Sequence, residues 1–181
     1  MVKVGSALRQ ARLARGLRQQ DVCKRLYISD STLSEIERCE RKPALDVATR
    51  AARELDDPVL YAAVATEATG GVMVPVWLDG EKVDLHRSSV RDKAVEELSE
   101  AIERLAKARA ITNAKRPEDL DDEGRRQVED VLHELVEAQT ACGVAIVVLC
   151  RTYGFSIKGT YQRHVEELRA KGYVRKEGRV A

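Results

Sequence analysis

Apolar residues recur at intervals of three and four along the first sixty residues, which is the spacing of one face of an α-helix. Gly and Pro residues interrupt this pattern at short intervals, so each predicted helix has only a few turns. Ser29 can cap the third helix, because its side chain can accept a hydrogen bond from a free backbone N–H. The predicted helices cover residues 4–15, 19–26, 30–38, 43–55 and 59–66.

The segment from about 67 to 87 has a different pattern and predicts a short extended linker. Gly70 and Gly71 suggest a flexible joint. Two short apolar segments then flank Asp79-Gly80, a dipeptide that suits the tight turn of a small hairpin. Pro75 restricts the first of these segments to a sheet edge, because proline cannot donate to a strand ladder.

From residue 88 onward the period is helical again, with predicted helices at 88–112, 122–153 and 158–170. The helix 122–153 would be about 48 Å long, which a small domain cannot cover alone. Its apolar positions alternate four and three apart, as in a coiled coil, so residues 88–181 are predicted to form a helical dimerisation domain. The alternative is an intramolecular bundle with the helix 88–112, which predicts a monomer. The positions in this seam are Val128, Leu132, Leu135, Gln139, Cys142, Ile146, Leu149 and Tyr153.

The composition, 44% apolar and 34% charged, indicates a globular protein. No apolar run approaches the roughly 18 to 20 residues of a membrane span, and residues 1–6 lack the apolar core of a signal peptide. We therefore expect a cytoplasmic protein without a membrane partner. The four cysteines form no CxxC pair, which argues against a zinc site or a disulfide framework. No metal and no cofactor are expected.

The net charge of +1 hides an uneven distribution. Residues 1–57 contain 12 Lys and Arg against 9 Asp and Glu, whereas the remainder is slightly acidic. A basic segment is favourable for a polyanionic partner, so any nucleic acid is expected to bind the N-terminal third.

Residues 16–43, GLRQQDVCKRLYISDSTLSEIERCERKP, combine a Gln that opens one helix, a capping Ser that opens the next, and an Ile-Glu-Arg run that closes it. This segment resembles the Cro/CI-type helix-turn-helix family, also called XRE, and the resemblance extends over about residues 3–57. It implies an all-α protein with a lambda-repressor-like DNA-binding domain of four or five helices at 1–66. The implied function is that of a bacterial or phage-like transcriptional repressor, associated with the nucleoid, which binds a pseudo-palindromic operator in duplex DNA as a homodimer.

The resemblance also implies roles for individual residues. Gln19 and Ser29 would contact phosphate at the starts of the two helices. Arg12 and Glu37 correspond to positions that form a structural pair across the core. The residues implied to face base edges are Asp30, Ser31, Thr32 and Glu35. The residues implied to contact the DNA backbone are Arg38, Arg41 and Lys42, for which a solvated charge run is the alternative.

Three residues depart from the family pattern. Arg18 replaces the usual Ser or Thr cap, and Tyr27 and Cys39 replace glycines that follow helices. Tyr27 is the most serious departure, because a non-glycine residue at positive φ costs on the order of 1 kcal/mol. We expect this strain to change the angle at which the second helix of the unit docks on DNA more than the ability of the unit to bind DNA.

An enzyme is the alternative from another class. Glu96, Glu97 and Glu100 have the EExxE spacing that resembles the all-α MazG-type nucleotide pyrophosphatases, in which carboxylates could hold Mg²⁺. The nearest second pair, Glu134 and Glu137, is out of phase with that pattern. The three histidines are dispersed, and neither HExxH nor GxSxG occurs. A solvated acidic helix face is therefore the favoured interpretation, and no catalytic residue is assigned.

Residues 145–174 leave a further alternative open. The order of helix, Gly-containing turn, helix and basic tail fits loosely with a second DNA-binding unit of the winged-helix kind. The heptad seam already accounts for the apolar residues Ile146 and Leu149, so a docking helix that closes the C-terminal bundle is favoured.

Overall fold

The computed structural model describes residues 3–78, 80–111 and 116–174. Within these ranges the chain is all-helical and contains no strand. The helices are α1 (Val4–Ala14), α2 (Gln19–Leu26), α3 (Asp30–Glu37), α4 (Leu45–Leu55), α5 (Pro58–Thr69), α6 (Arg87–Lys107), α7 (Asp122–Tyr153) and α8 (Ile157–Ala170). Single 3-10 turns lie at Arg109–Ile111 and Pro117–Asp119. The predicted helices are thus present, with ends that differ by a few residues.

Helices α1 to α5 enclose the first hydrophobic core. Its largest side chains, such as Leu8, Leu26 and Leu33, are almost completely buried. The helix starts are fixed locally, since Ser29 accepts from the Thr32 N–H at 3.1 Å and Asp57 accepts from the Leu60 N–H at 2.9 Å. The apolar spacing that predicts the helices is therefore also the spacing that fills this core.

A close approach between α1 and α3 depends on Gly5. A Cβ atom at this position would lie 1.9 Å from the carbonyl oxygen of Ile36. Only glycine can occupy the crossing point without moving the backbone of α3. Gly5 thus sets the position of α3 against the rest of the domain.

Helix α5 contributes to two cores. Leu60 and Ala63 are buried among α1 to α4, whereas Val59 and Tyr61 pack against both this core and a second cluster that contains Trp77 and residues of α7. Ile157 at the start of α8 belongs to the second cluster too, and the Lys158 N–H donates to Asp56 Oδ1 at 3.2 Å. The N-terminal helices are therefore packed directly against the C-terminal ones.

Helices α6 and α7 form an antiparallel pair. The N-terminal part of α6 packs near the C-terminal half of α7, where Val90 and Val144 share a cluster. At the other end, Arg104 of α6 reaches Glu134 of α7, with 3.4 Å between Nε and Oε1. The buried positions of the pair include Ala101 on α6 and Ala138 on α7. On each helix the buried positions recur three and four residues apart, as expected for two helices that pack along their length.

The predicted hairpin around Asp79-Gly80 is wrong. Residues 72–78 and 80–86 contain no strand, and Asp79 itself lies outside the described residues. The segment is held by side chains against α7: Trp77 is buried, and Pro75 packs on Gly143. A tertiary contact thus replaces the pairing that the local sequence suggests.

Helix α7 includes an 18-residue window of mean hydropathy 1.5, so that by length and composition it could cross a membrane. Core helices of soluble proteins share this length and composition, and 39% of the segment is buried inside the protein. The apolar residues of α7 contact α6, α5 and Trp77. The predicted basic tail beyond residue 174 lies outside the described residues.

The contact between Gly143 and Pro75 gives the first prediction. A Cβ at position 143 would lie 2.3 Å from Pro75 Cβ, so Gly143→Ala must push the linker away from α7. We expect a loss of stability of about 1 to 3 kcal/mol, as for other overpacked sites. Trp77 is the only tryptophan, and its fluorescence should shift to longer wavelength as it becomes hydrated.

Glu129→Ala, an exposed position on the same helix, is the matched control and should leave the emission unchanged. Emission of Gly143→Ala at the native wavelength would show that the linker does not depend on this contact.

Candidate nucleic-acid interface

Helices α2 and α3 are joined by a three-residue turn, Tyr27-Ile28-Ser29. Tyr27 has left-handed backbone angles, φ 58° and ψ 45°, and the Ile28 N–H donates to the Cys23 carbonyl at 3.2 Å. Ser29 then begins α3. The two short helices and their tight turn form the helix-turn-helix unit that can insert its second helix into a DNA major groove.

Tyr27 adopts the strained conformation without a rearrangement of the turn. Its ring lies under the guanidinium of Arg50 on α4, 5.3 Å from the carbon to the ring centroid. Arg50 also donates from Nη1 to the Leu26 carbonyl at 2.9 Å. A cation–π contact and a hydrogen bond therefore stabilise a turn that ordinarily favours glycine. Cys39, after α3, also has a positive φ, of 59°.

The start of α3 carries a cluster of hydroxyl groups. Ser29 Oγ lies 2.9 Å from Ser31 Oγ and 2.8 Å from Thr32 Oγ1, in addition to accepting from the Thr32 N–H. Ser29 and Ser31 are exposed and Thr32 is half-buried. Small polar groups at an exposed helix start are suited to phosphate oxygens and base edges.

The rest of α3 divides into an inner and an outer face. Leu33 and Ile36 are buried in the core, whereas Asp30 is exposed and Glu35 is half-buried. Burial, followed by a hydrogen bond to Asp30, raises the pKa of Cys23 to about 12, so that its thiol stays protonated. None of the implied base-reading residues is thus buried in the core.

The three cations after α3 are exposed and each has an acidic neighbour. Arg38 Nη2 lies 2.8 Å from Glu40, Arg41 Nη1 lies 3.6 Å from Glu35, and Lys42 Nζ lies 3.9 Å from Glu67. Such surface ion pairs contribute little free energy, so these cations can exchange their partners for phosphate. The acidic neighbours lower the positive potential of this loop.

A buried network behind the interface joins α1, α2 and α3. Arg12 donates from Nε to Glu37 Oε1 at 2.6 Å, from Nη2 to Oε2 at 2.8 Å, and from Nη1 to the Leu17 carbonyl at 2.9 Å. Gln19 Nε2 donates to Glu37 Oε2 at 2.9 Å. The implied structural pair is therefore present, and the side-chain amide of Gln19 is engaged in it rather than turned fully outward.

This network sets the ionisation of Glu37. Burial by itself raises the pKa of the carboxyl group, but the hydrogen bonds from Arg12 and Gln19 and the charge of Arg12 outweigh it. The pKa of Glu37 therefore lies below its ordinary value of 4.5. Hydrogen bonding to Glu37 in turn raises the pKa of Arg12. Both groups are charged at neutral pH.

The structure also reveals a groove between α2 and α3 that the sequence did not single out. Lys24, Tyr27 and Asp30 contribute to its walls. Lys24 is exposed on α2, beside the hydroxyl cluster of α3. The position of Lys24 on the polar side of α2 is the sequence signal that could have identified it as a residue of this groove.

The comparison with protein families returns one match, a helix-turn-helix family that covers residues 8–58. This match supports the resemblance of the N-terminal domain to the Cro/CI-type helix-turn-helix family. Neither a curated protein nor a solved structure matches the chain. The Cro/CI-type match includes α2, α3 and the buried network, and it ends at the first residue of α5. The match supports a DNA-binding regulator whose C-terminal region lies outside the matched residues.

The acidic residues of the alternative interpretation differ in burial. Glu97 is buried, whereas Glu96 and Glu100 are exposed. Glu134 and Glu137 of α7 lie beside Glu97. The antiparallel register of α6 and α7 brings these carboxylates together, and a single helix pattern does not contain this information. The family comparison gives no support to a nucleotide pyrophosphatase.

Removal of one partner of the buried network has a defined cost. Arg12→Met leaves the Glu37 carboxylate buried without its cation, and we expect a loss of about 3 to 5 kcal/mol in the free energy of unfolding. The double variant Arg12→Met/Glu37→Leu removes both charges and should lose considerably less. Denaturant unfolding of both variants measures the difference.

The pH dependence separates charge from packing. Because the pKa of Glu37 is lowered in the folded state, its stabilising contribution is present above 4.5 and is lost as the pH falls below that value. The free energy of unfolding of the double variant should decrease less over this acidic range than that of the wild type. Equal losses in the wild type and the double variant would contradict the charged pairing.

Proposed function

We propose that the protein is a sequence-specific regulator of transcription that binds duplex DNA through α2 and α3 and acts as a homodimer. The exposed side of α3, on which Asp30, Ser31 and Glu35 accompany the hydroxyl cluster, carries the proposal for base recognition. Asp30 and Glu35 can accept from the N4 amino group of cytosine, although each also repels phosphate. Acidic base-reading positions favour sequence-specific binding over tight binding to any DNA.

In this proposal Gln19 and Ser29 contact phosphate with groups at the starts of α2 and α3, where the helix N–H groups attract anions. Since the Gln19 amide donates to Glu37, its backbone N–H and second amide N–H are the groups available for phosphate. The cations Arg38, Arg41 and Lys42 flank the same surface and supply contacts that do not depend on base sequence.

An exposed apolar face on α6 and α7 supports the homodimer. On α6 the exposed apolar residues include Leu98 and Ile102, and on α7 they include Leu132 and Leu135. On each helix these exposed residues form a stripe. Its members come one position after buried residues of the α6–α7 contact, as Leu98 comes after Glu97. Because the helices are antiparallel, this equal offset directs both stripes to the same side of the pair. The apolar residues of this face are Val95, Leu98, Ile102, Leu105, Leu132, Leu135 and Val136, between 40% and 65% exposed.

A second copy of the chain is the occupant that fits this face. Patches of large apolar residues on this scale mark interaction sites, since soluble monomers rarely leave them in water. Two such helix pairs, related by a two-fold axis, would form a four-helix bundle with Leu, Ile and Val at its centre. The same symmetry would present two copies of α3 to the half-sites of a pseudo-palindromic operator, as a repressor dimer requires.

Binding assays on selected operator DNA test the DNA-binding surface. Ser31→Ala should cost about 1 to 3 kcal/mol for the specific site and little for random DNA, because it removes a base contact. Lys42→Ala should weaken binding to all sequences alike and reduce the salt dependence by about one phosphate contact.

Arg91→Ala on α6 removes an exposed cation outside the family domain and serves as the control for net charge. Its affinity should equal that of the wild type. If Ser31→Ala retains full specificity while circular dichroism shows a native fold, the assignment of α3 as the recognition helix is wrong.

Sedimentation at micromolar concentration tests the dimer. The chain has a mass of 20.2 kDa, so we expect a species of about 40 kDa. Leu98→Arg or Leu135→Arg should convert it to a monomer that remains helical, because both side chains already face solvent in the single chain.

Glu100→Arg introduces the same cation on a part of α6 that faces away from the apolar stripe, and it should remain dimeric. A wild-type species of single-chain mass would exclude the homodimer while leaving the DNA-binding proposal to its own assay.

A further inference from the structure

Three carboxylates from two helices converge on the side of the α6–α7 pair away from the apolar face. Glu97 of α6 and Glu134 and Glu137 of α7 each offer one oxygen, and these three oxygens lie within 4.8 Å of one another. Burial decreases outward, since Glu97 is 7% exposed and the side chains of Glu134 and Glu137 are 15% and 47% exposed. The group is thus a recess that is closed at Glu97 and open at Glu137.

Two carboxylate oxygens in this recess have no hydrogen-bond partner among the described residues. Oε2 of Glu97 and Oε2 of Glu134 are both buried and unpaired. The second oxygen of each group has a cation: Lys93 Nζ lies 2.7 Å from Glu97 Oε1, and Arg104 Nε lies 3.4 Å from Glu134 Oε1. An unpaired buried oxygen on an ionised group is costly, so the fold is short of positive charge at this point.

We propose that Glu97, Glu134 and Glu137 form a binding site for one hard divalent cation, of the class Ca²⁺, Mn²⁺ or Mg²⁺. Carboxylate oxygens are the donors these ions prefer. Ca²⁺ binds its oxygen ligands at about 2.3 to 2.6 Å. Two oxygens on opposite sides of one such ion can therefore be as far apart as the 4.8 Å found here. Lys93 contacts Glu97, Arg104 contacts Glu134, and His133 lies 3.1 Å from Glu137, so the cation would satisfy the two oxygens that these contacts leave unpaired. Water reaches the open side at Glu137 and completes the coordination.

The site differs from the acidic motif that the sequence shows. Glu96 and Glu100 of the EExxE pattern are exposed and do not belong to the cluster. The cation would instead connect α6 to α7, because its ligands come from both helices. Its function is to clamp the helix pair whose opposite face is proposed for dimerisation, and binding of the ion leaves that face free.

The test uses the full chain after treatment with a chelator. Thermal unfolding is followed by circular dichroism and by Trp77 fluorescence, with CaCl₂, MnCl₂ or MgCl₂ added separately and ionic strength matched with KCl. We expect a saturable rise in Tm with at least one of these ions and one bound ion per chain by calorimetry. Glu134→Gln should weaken binding at least about tenfold, since affinity follows the charge of the ligands.

Glu96→Gln and Glu100→Gln remove the same charge from α6 outside the cluster and should retain both the rise in Tm and the stoichiometry. Glu97→Gln provides a second variant, whose folding without added ion is checked by the same spectra. The proposal is overturned if the wild type shows no ion-specific shift, if KCl alone reproduces it, or if Glu134→Gln binds as tightly as the wild type. None of these results bears on DNA binding by α3.

Discussion

Helix α5 is the element on which both halves of the molecule depend. Its sequence, PVLYAAVATEAT, is apolar on nearly every side, and a helix of this kind must be covered all round. One side completes the core of α1 to α4, and the other side packs against Trp77 and α7. Burial of apolar surface on both sides stabilises the two halves together, so α5 belongs to neither half alone.

Much of the fold could be predicted because its signals are local. Helices α2 and α7 begin and end at the predicted residues, and α7 has strong boundary signals in the sequence. Asp121, for example, accepts from the Gly124 N–H at 2.8 Å, and Gly154 ends α7 at φ 72°. Caps and left-handed glycines act over a few residues, which is the range that a sequence pattern describes well.

The features that could not be predicted depend on residues distant in the chain. The 72–87 segment suits a hairpin locally, but Pro75 and Trp77 are held by α7. The need for Gly5 arises only where α1 crosses Ile36. Likewise, the candidate interface could be named residue by residue from the family resemblance, whereas the inward engagement of Gln19 follows from the position of Glu37, which lies 18 residues later.

A buried hydrogen-bond network fixes the positions of the helices that carry the interface. Arg12 and Glu37 form a rigid double hydrogen bond, and charged pairs of this geometry are stronger than neutral ones. The network joins α1, α2 and α3 below the surface, while the ion pairs on the surface are weak and exchangeable. The domain thus combines a fixed angle between its helices with side chains that remain free to adapt.

The double burial of α5 also determines how far the DNA-binding domain can move. A flexible tether would let two recognition helices adjust to half-sites at various separations. Here, rotation of α3 relative to α6 and α7 would have to separate Val59 and Tyr61 from the second core. In a dimer joined through α6 and α7, the distance between the two recognition helices is therefore a property of the folded core, and one inserted base pair would misalign a half-site in both distance and helical phase.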